Sequence, residues 1–266
     1  MTGNGVRPPR LRLRLMEQGA LFEIGGLLAA SPALRLIGRG DRHPVLVLPG
    51  FTASDLSTAP LRATIRGQGY WAHGWRLGRN IGPTSRIVDG LFERLEAIHG
   101  RHGRPVSLVG WSLGGIYARH LARTHPEMVR QVISLGSPFR MVEGDRSAAQ
   151  PIWDSVSHLH DSELDLLAET EDERTPLEVP ATAIYTRTDG VVRWYTCIER
   201  PGRMSESIEV FGSHSGLGVN PAVVWAVLDR LSQPEDGWRH FQAPWFLRHL
   251  YPLPAAWQAS GTPAAA

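Results

Sequence analysis

The residue of this chain best suited to covalent chemistry is a serine in the hexapeptide GWSLGG, which spans residues 110–115. Ser112 follows the apolar run 106–109 and precedes a stretch with helical spacing. A G-x-S-x-G sequence between a strand and a helix is typical of a nucleophile elbow, because small residues keep such a turn tight. We therefore predict that Ser112 is a nucleophile. The alternative is that it is the first polar residue of an ordinary turn.

A serine hydroxyl is a weak nucleophile at neutral pH, so it needs a base and a group that orients that base. His214 follows a predicted strand over residues 208–211 and is the candidate base, the alternative being a polar loop histidine. Asp189 follows a predicted strand over residues 181–185 and is the candidate acid. Asp189 could instead be only a turn former, and three other carboxylates could replace it: Asp161, Asp165 and Glu199.

The oxyanion that develops during such a reaction needs two N–H donors. The residue after the nucleophile, Leu113, would supply one backbone N–H. The loop VLVLPGFTASD after the first predicted strand would supply the other, and by position this donor is Phe51. Pro49 and Gly50 in that loop could equally form an ordinary strand-ending turn, and both interpretations are compatible.

Apolar residues near the candidate nucleophile predict a substrate pocket with an apolar wall. We assign substrate binding to Trp111, Met141 and Trp153, although ordinary core packing would also account for them. The sequence HLHD at residues 158–161 has two histidines, but in an acidic segment these are more typical of a solvated loop than of a metal site. We predict a reaction without metal or organic cofactor.

Short β-rich runs alternate with longer helical runs from residue 43 onward, which predicts an α/β fold with a mostly parallel sheet flanked by helices. Strands are expected over residues 45–48, 70–75, 106–110, 131–135, 181–185 and 208–211. Helices are expected over residues 60–66, from 84 through 95, over 113–124 and over 221–231. Ser57 or Asp55 would cap the first of these helices, and Thr84 the second.

Three regions are expected along the chain. Residues 1–43 form an N-terminal helical extension, and residues 44–235 form the core, with an inserted cap or lid segment at about 140–176. Residues 236–266 form an extension rich in aromatic residues and proline, which ends in a disordered tail. The cap would lie on the same side of the sheet as the candidate catalytic residues.

The chain resembles the α/β-hydrolase superfamily, in particular its small esterases and lipases, between about residues 44 and 231. The resemblance rests on the proline-glycine loop, GWSLGG, TRTDGVV and SHSGLGVNP, and on the chain order Ser112, Asp189, His214. One departure is Pro49-Gly50, where many members have His-Gly before the oxyanion residue.

The resemblance implies hydrolysis of carboxylic esters through an acyl-enzyme intermediate. The inserted segment is short and acidic, unlike the large apolar lid of a true lipase, so we predict short- to medium-chain esters as substrates. Four alternatives use the same fold: a true lipase, a polyester hydrolase, an acyltransferase or thioesterase, and a non-catalytic binding module.

Composition narrows the choice of partners and compartment. A net charge of +2 with scattered basic residues argues against a nucleic-acid partner, and the single Cys197 excludes an internal disulfide. We predict a cytoplasmic protein that acts on a small-molecule or lipid-like ester, with its oligomeric state open. Residues 15–36 have helical apolar spacing, which favours a helix packed on the core over contact with a lipid surface.

Overall fold

The computed structural model describes residues 7–34, 36–141, 145–160 and 176–257. Six strands are found in these ranges: β1 Pro44–Leu48, β2 Trp71–Gly74, β3 Val106–Trp111, β4 Val129–Leu135, β5 Ala181–Tyr185 and β6 Ser205–Glu209. The helices of the same ranges are α1 Leu11–Met16, α2 Ala20–Leu34, α3 Ala59–Gly67, α4 Ser85–His102, α5 Leu113–Thr124, α6 Gln150–Val156 and α7 Pro221–Leu231.

The six strands form one parallel sheet in the order β2-β1-β3-β4-β5-β6. All strands therefore end at the same side of the sheet, which we call the carboxyl edge; the opposite side is the amino edge. The strand order reverses direction at β1, which lies between β2 and β3. In a parallel sheet such a reversal opens a crevice at the carboxyl edge, where ligands bind.

Strand β1 shows why the sheet is central. All five of its residues are buried, and its side chains alternate between two apolar layers. Val45 and Val47 face the layer that contains α7, whereas Leu46 and Leu48 face the layer that contains α4 and α5. A strand covered on both faces has to be apolar throughout, which is the pattern PVLVL.

The predicted bounds agree with the structure for β5, α5 and α7 and differ elsewhere. Helix α4 continues to His102 rather than ending at residue 95, and Gly103 ends it in the left-handed conformation. The last strand is Ser205–Glu209, so the prediction of 208–211 was wrong. Two buried glutamates concealed its bounds, since Glu206 is paired with the buried Arg230 and Glu209 with the partly exposed Arg187.

The predicted capping of α3 by Ser57 or Asp55 was also wrong. The helix follows Thr58 without a side-chain cap, whereas Thr84 caps α4 as predicted by accepting from the Ile87 N–H. The Asp55 carboxylate instead accepts hydrogen bonds from the backbone N–H groups of Trp75 and Arg76, each at 3.0 Å. Asp55 therefore ties the loop after β1 to the end of β2.

Helix α2 packs along α7 and buries Leu27 and Leu34 in the same apolar layer. The described part of the predicted cap contains α6 and a short 3-10 turn, Ser157–Leu159. Most of the rest of that cap, and the predicted disordered tail from residue 258, lie outside the described residues. None of the helices in the described ranges has both the length and the apolar character needed to cross a bilayer. The predicted division into three regions stays a prediction.

Candidate active site

Ser112 occupies a strained turn at the tip of β3. Its backbone φ of 52° and ψ of −120° lie outside the regions that a serine normally adopts, and α5 begins at the next residue. The Ser112 N–H donates to the Leu135 carbonyl at 2.8 Å, which anchors the turn to β4. A Cβ added to Gly110 would lie 2.3 Å from the Gly114 carbonyl oxygen, so only glycine fits this approach of strand and helix.

His214 and Asp189 form a buried pair at the carboxyl edge. The His214 Nδ1 atom lies 2.6 Å from Asp189 Oδ2, and the two residues are 6% and 3% exposed. The other Asp189 oxygen accepts backbone N–H bonds from Val191 and Val192 at 2.8 and 2.7 Å. These hydrogen bonds fix the carboxylate in place, and as an acceptor it directs the imidazole hydrogen to Nδ1, which leaves Nε2 free to accept a proton.

The pKa of His214 is raised above its ordinary value. Burial by itself lowers this pKa, but the charge and hydrogen bond of Asp189, together with the charge of Glu17, outweigh burial. Both carboxylates favour the imidazolium ion. The base that the site presents is consequently stronger than a free histidine side chain.

The other candidate acids are placed differently. Glu199 forms a buried ion pair with Arg119, whose Nη1 lies 2.5 Å from its carboxylate, and Asp161 and Asp165 fall outside the described residues. The Ser112 hydroxyl is partly exposed and has no hydrogen-bond partner among the residues that the structure describes. The structure therefore joins acid and base directly after β5 and β6, and it places the serine at the end of β3 without a bond to the histidine.

The loop after β1 approaches Ser112 closely. A Cβ added to Gly50 would lie 3.2 Å from the Ser112 Cβ, so the backbone of this loop passes beside the serine. Within the described ranges, neither the Phe51 N–H nor the Leu113 N–H has an acceptor. Two N–H groups without an acceptor, one in the loop after β1 and one directly after Ser112, match what an oxyanion requires, and the amino end of α5 adds its positive dipole.

Comparison with known proteins identifies the architecture. No family model matches the chain. A curated relative, the pimeloyl-[acyl-carrier protein] methyl ester esterase of Aromatoleum aromaticum, is 31% identical over 101 residues. That match covers 30% of this chain and 40% of the relative, so it spans well under half the length of the protein it matches.

Solved structures extend the likeness to most of the chain. The match with lipase B of Aspergillus fumigatus covers 76% of this chain and 54% of the lipase chain, with a TM-score of 0.56 and 18% identity. The match with a structure of the metagenome-derived lipolytic enzymes LipS and LipT covers 73% of this chain and 93% of the other, with a TM-score of 0.53 and 18% identity. A lipase-esterase related protein of Clostridium acetobutylicum matches 73% and 97%, with a TM-score of 0.51 and 16% identity.

The chain has the α/β-hydrolase fold. The expectation drawn from GWSLGG and the order of Ser112, Asp189 and His214 is thereby confirmed at the level of the fold. In an α/β-hydrolase sheet the elements after β1 and β3 are neighbours, and here they bring Phe51 and Ser112 to the same crevice.

One residue of this α/β-hydrolase crevice has no sequence signal. Asn80 is fully buried, and its side chain donates to the Pro49 carbonyl at 2.9 Å. Its backbone carbonyl accepts from Thr52 at 2.6 Å, and its N–H donates to Ala53 at 2.8 Å. Asn80 therefore holds the loop that carries Phe51, although the surrounding GRNIGP sequence resembles an ordinary connection.

Two of the three predicted wall residues touch the site's loops. The Trp153 ring on α6 lies 5.2 Å from the Phe51 ring, and the Trp111 indole N–H donates to the His214 carbonyl at 3.0 Å. Met141 is partly exposed on the chain that leaves β4. Trp111 therefore braces the histidine loop, and Trp153 lies beside the loop that carries Phe51.

His160 of the HLHD sequence contacts the loop that follows Asn80. His160 Nε2 lies 2.8 Å from the Ile81 carbonyl, and its ring packs 4.5 Å from that of Trp153. No group of three histidine, cysteine or acidic residues close enough to bind a metal occurs in the part of the chain that the structure describes. His160 therefore connects α6, through Trp153, to the loop next to Asn80.

Proposed function

We propose that the protein is a serine hydrolase that cleaves carboxylic esters of short to medium acyl length. The observation that carries the proposal is the buried pair of His214 and Asp189, 2.6 Å apart, at the strand ends beside the strained Ser112. The curated relative is named as a methyl ester esterase, which supports an ester as the substrate. The contact between the Trp153 and Phe51 rings supports an apolar group, such as an acyl chain, as the part of the substrate bound on this side.

In this mechanism the Ser112 oxygen attacks the ester carbonyl while His214 Nε2 removes the serine proton. The N–H groups of Phe51 and Leu113 stabilise the tetrahedral oxyanion, and the imidazolium then gives its proton to the leaving alcohol. Asp189 holds the imidazole orientation and stabilises the imidazolium charge throughout. Water then attacks the acyl-enzyme by the same route and releases the acid.

The decisive experiment replaces the nucleophile. Ser112→Ala should lower kcat on p-nitrophenyl esters by about four to six orders of magnitude, because the attacking oxygen is gone while the backbone stays unchanged. A fluorophosphonate probe should label the wild type at Ser112 and leave Ser112→Ala unlabelled. Ser215→Ala is the matched control, since it removes an exposed hydroxyl next to His214 and should keep labelling intact. Unchanged labelling of Ser112→Ala would refute the assignment.

The substrate class is tested on esters from acetate to palmitate beside a triglyceride emulsion. We expect the highest kcat/KM on short and medium chains, with activity that survives EDTA. A preference for palmitate with activation at the emulsion surface would instead indicate a lipase. Faster transfer of the acyl group to an added alcohol than to water would indicate an acyltransferase. Faster hydrolysis of acyl-CoA than of the esters would indicate a thioesterase.

A further inference from the structure

A carboxylate from the N-terminal segment contacts the loops of both the candidate base and the candidate acid. Glu17 Oε1 accepts the N–H of Gly190, next to Asp189, at 2.8 Å, and the N–H of His214 itself at 3.1 Å. Glu17 Oε2 accepts the N–H of Ser215 at 2.7 Å. One side chain therefore joins the acid loop to the base loop through three backbone hydrogen bonds.

A second carboxylate holds the other side of the histidine. Glu23 on α2 accepts from both the N–H and the hydroxyl of Ser213, at 2.9 and 2.7 Å. Its other oxygen accepts from the Asn220 side chain at 2.8 Å. Because Asn220 also caps α7, the histidine loop is held between α2 and α7.

The acid loop is shaped to receive this segment. A Cβ added to Gly190 would lie 2.4 Å from the Leu13 carbonyl oxygen, so no side chain fits between the acid loop and the residues before Glu17. At Gly216, a Cβ would lie 2.3 Å from the Glu23 carboxylate. The glycines at these two positions admit the N-terminal segment to the site.

We propose that Glu17 is a positioning residue for His214, which it aligns with Asp189 through the backbone of both loops and whose protonated form it stabilises by its charge. This inference rests on the proposed hydrolase function. Glu17 contacts no reacting atom in the scheme above. Its effect passes through the imidazole, which becomes positively charged in the transition state.

The two carboxylates of the N-terminal segment, Glu17 and Glu23, differ in their contacts with His214. Asp189 bonds the ring from the loop after β5, and Glu17 bonds the His214 backbone from the turn before α2. Among the residues that the structure describes, Glu23 forms hydrogen bonds with Ser213 and Asn220. Burial lowers the pKa of His214, and the charges of Asp189 and then of Glu17 raise it. Glu23 binds Ser213 and Asn220 rather than the His214 backbone, so it is a natural control for a carboxylate that shapes the loop.

The test measures the His214 pKa directly. Glu17→Gln keeps the side-chain size and removes the charge, and we expect the pKa of His214 to fall by about half a unit to one unit. The pKa is read by NMR titration of ring-labelled histidine, with the His214 signal assigned by its loss in His214→Asn. Glu23→Gln should leave that pKa in place, and Glu17→Asp should keep most of the charge effect.

Kinetics provide the second readout. In Glu17→Gln the acid limb of kcat/KM should move to lower pH with the NMR pKa, and kcat should fall about tenfold at constant KM. An unchanged His214 pKa in Glu17→Gln, an equal shift in Glu23→Gln, or loss of the folded circular dichroism spectrum in Glu17→Gln would each overturn the proposal. The titration needs no turnover, so absence of ester hydrolysis in the wild type would overturn the hydrolase function and leave the Glu17 result readable.

Discussion

The two edges of the sheet each hold an aspartate–histidine pair, and the two pairs differ in the charges around them and in access. At the amino edge His43 Nδ1 lies 2.5 Å from Asp41, and His43 Nε2 lies 2.9 Å from the Ser107 hydroxyl. Acid, base and serine are therefore connected in full there. At the carboxyl edge His214 and Asp189 are paired in the same way, but Ser112 is not bonded to the base.

The charges near the two histidines shift their pKa values in opposite directions. Burial, Arg130 and Arg104 lower the pKa of His43 to about 4, and the Asp41 carboxylate does not compensate. The pKa of His214 moves upward, because the charges near it are two carboxylates. A histidine surrounded by arginines stays neutral and is a poor proton acceptor, whereas one beside carboxylates is a good one.

The two serines differ in whether a substrate can reach the hydroxyl group. Ser107 lies within β3 and is fully buried together with His43, so no substrate reaches its hydroxyl. Ser112 lies five residues further on, in the strained turn where the strand has ended, and it is only partly buried. A bonded set of acid, base and serine is therefore structural unless its position on the sheet exposes the nucleophile.

The largest expected effect comes from matched substitutions of the two aspartates. Asp189→Asn should lower kcat by about three to four orders of magnitude at similar KM, since an amide no longer sets the imidazole tautomer. Asp41→Asn should leave kcat within about threefold, because no proton leaves His43 during the reaction. Steady-state kinetics on p-nitrophenyl butyrate measures both. Similar losses in the two variants would show that the amino edge takes part in catalysis.

The second prediction concerns stability at acidic pH. His43 has a folded pKa of about 4, below that of an unfolded histidine, so the folded state binds fewer protons between these values and loses stability as the pH falls. Between pH 6.5 and 4 this histidine should remove about 3 kcal/mol of unfolding free energy.

Urea unfolding at several pH values tests this sign. His43→Asn should lose about 3 kcal/mol less than the wild type across the same interval, even though it starts less stable. His214 contributes in the opposite direction, because its raised pKa adds stability below the ordinary histidine pKa that is lost as the pH rises. Parallel pH curves for the wild type and His43→Asn would contradict the proposed environment of His43.

The smallest effect is expected for the buried serine. Ser107→Ala removes the partner of His43 and of the Gln131 side chain, which should cost about 1–3 kcal/mol of unfolding free energy without changing kcat. Ser134→Ala is the control, because that hydroxyl makes a single hydrogen bond of 3.5 Å, and it should cost under about 1 kcal/mol. Chemical denaturation and kinetics on the same samples measure both quantities. A fall in kcat for Ser107→Ala alone would give the amino edge a functional role.

Local patterns were enough to predict the residues that come together at the carboxyl edge. Ser112, Asp189 and His214 each follow a predicted strand, and parallel strands end at one edge, so their proximity follows from the order of elements. Helices α5 and α7 were predicted to the residue because an apolar stripe and a clear boundary coincide in each. Their catalytic roles stay predictions.

The supporting contacts could not be predicted, because their partners are far apart in the chain. Asn80 looks like a loop residue until Pro49 and Thr52 are placed beside it. At the sequence level Glu17 and Glu23 are only two acidic residues within an apolar segment. Nothing in the spacing of either glutamate indicates a loop almost two hundred residues away.

The contact between Glu17 and His214 has a consequence for the order in which the molecule assembles. The two residues are 197 positions apart, so at synthesis rates of about 5–20 residues per second Glu17 precedes its partner by roughly 10–40 s. Helix α2 and the first strands are made well before the loop that they complete. Recovery of the His214 environment during refolding therefore reports the closure of the longest-range contacts, which regained helical signal alone does not.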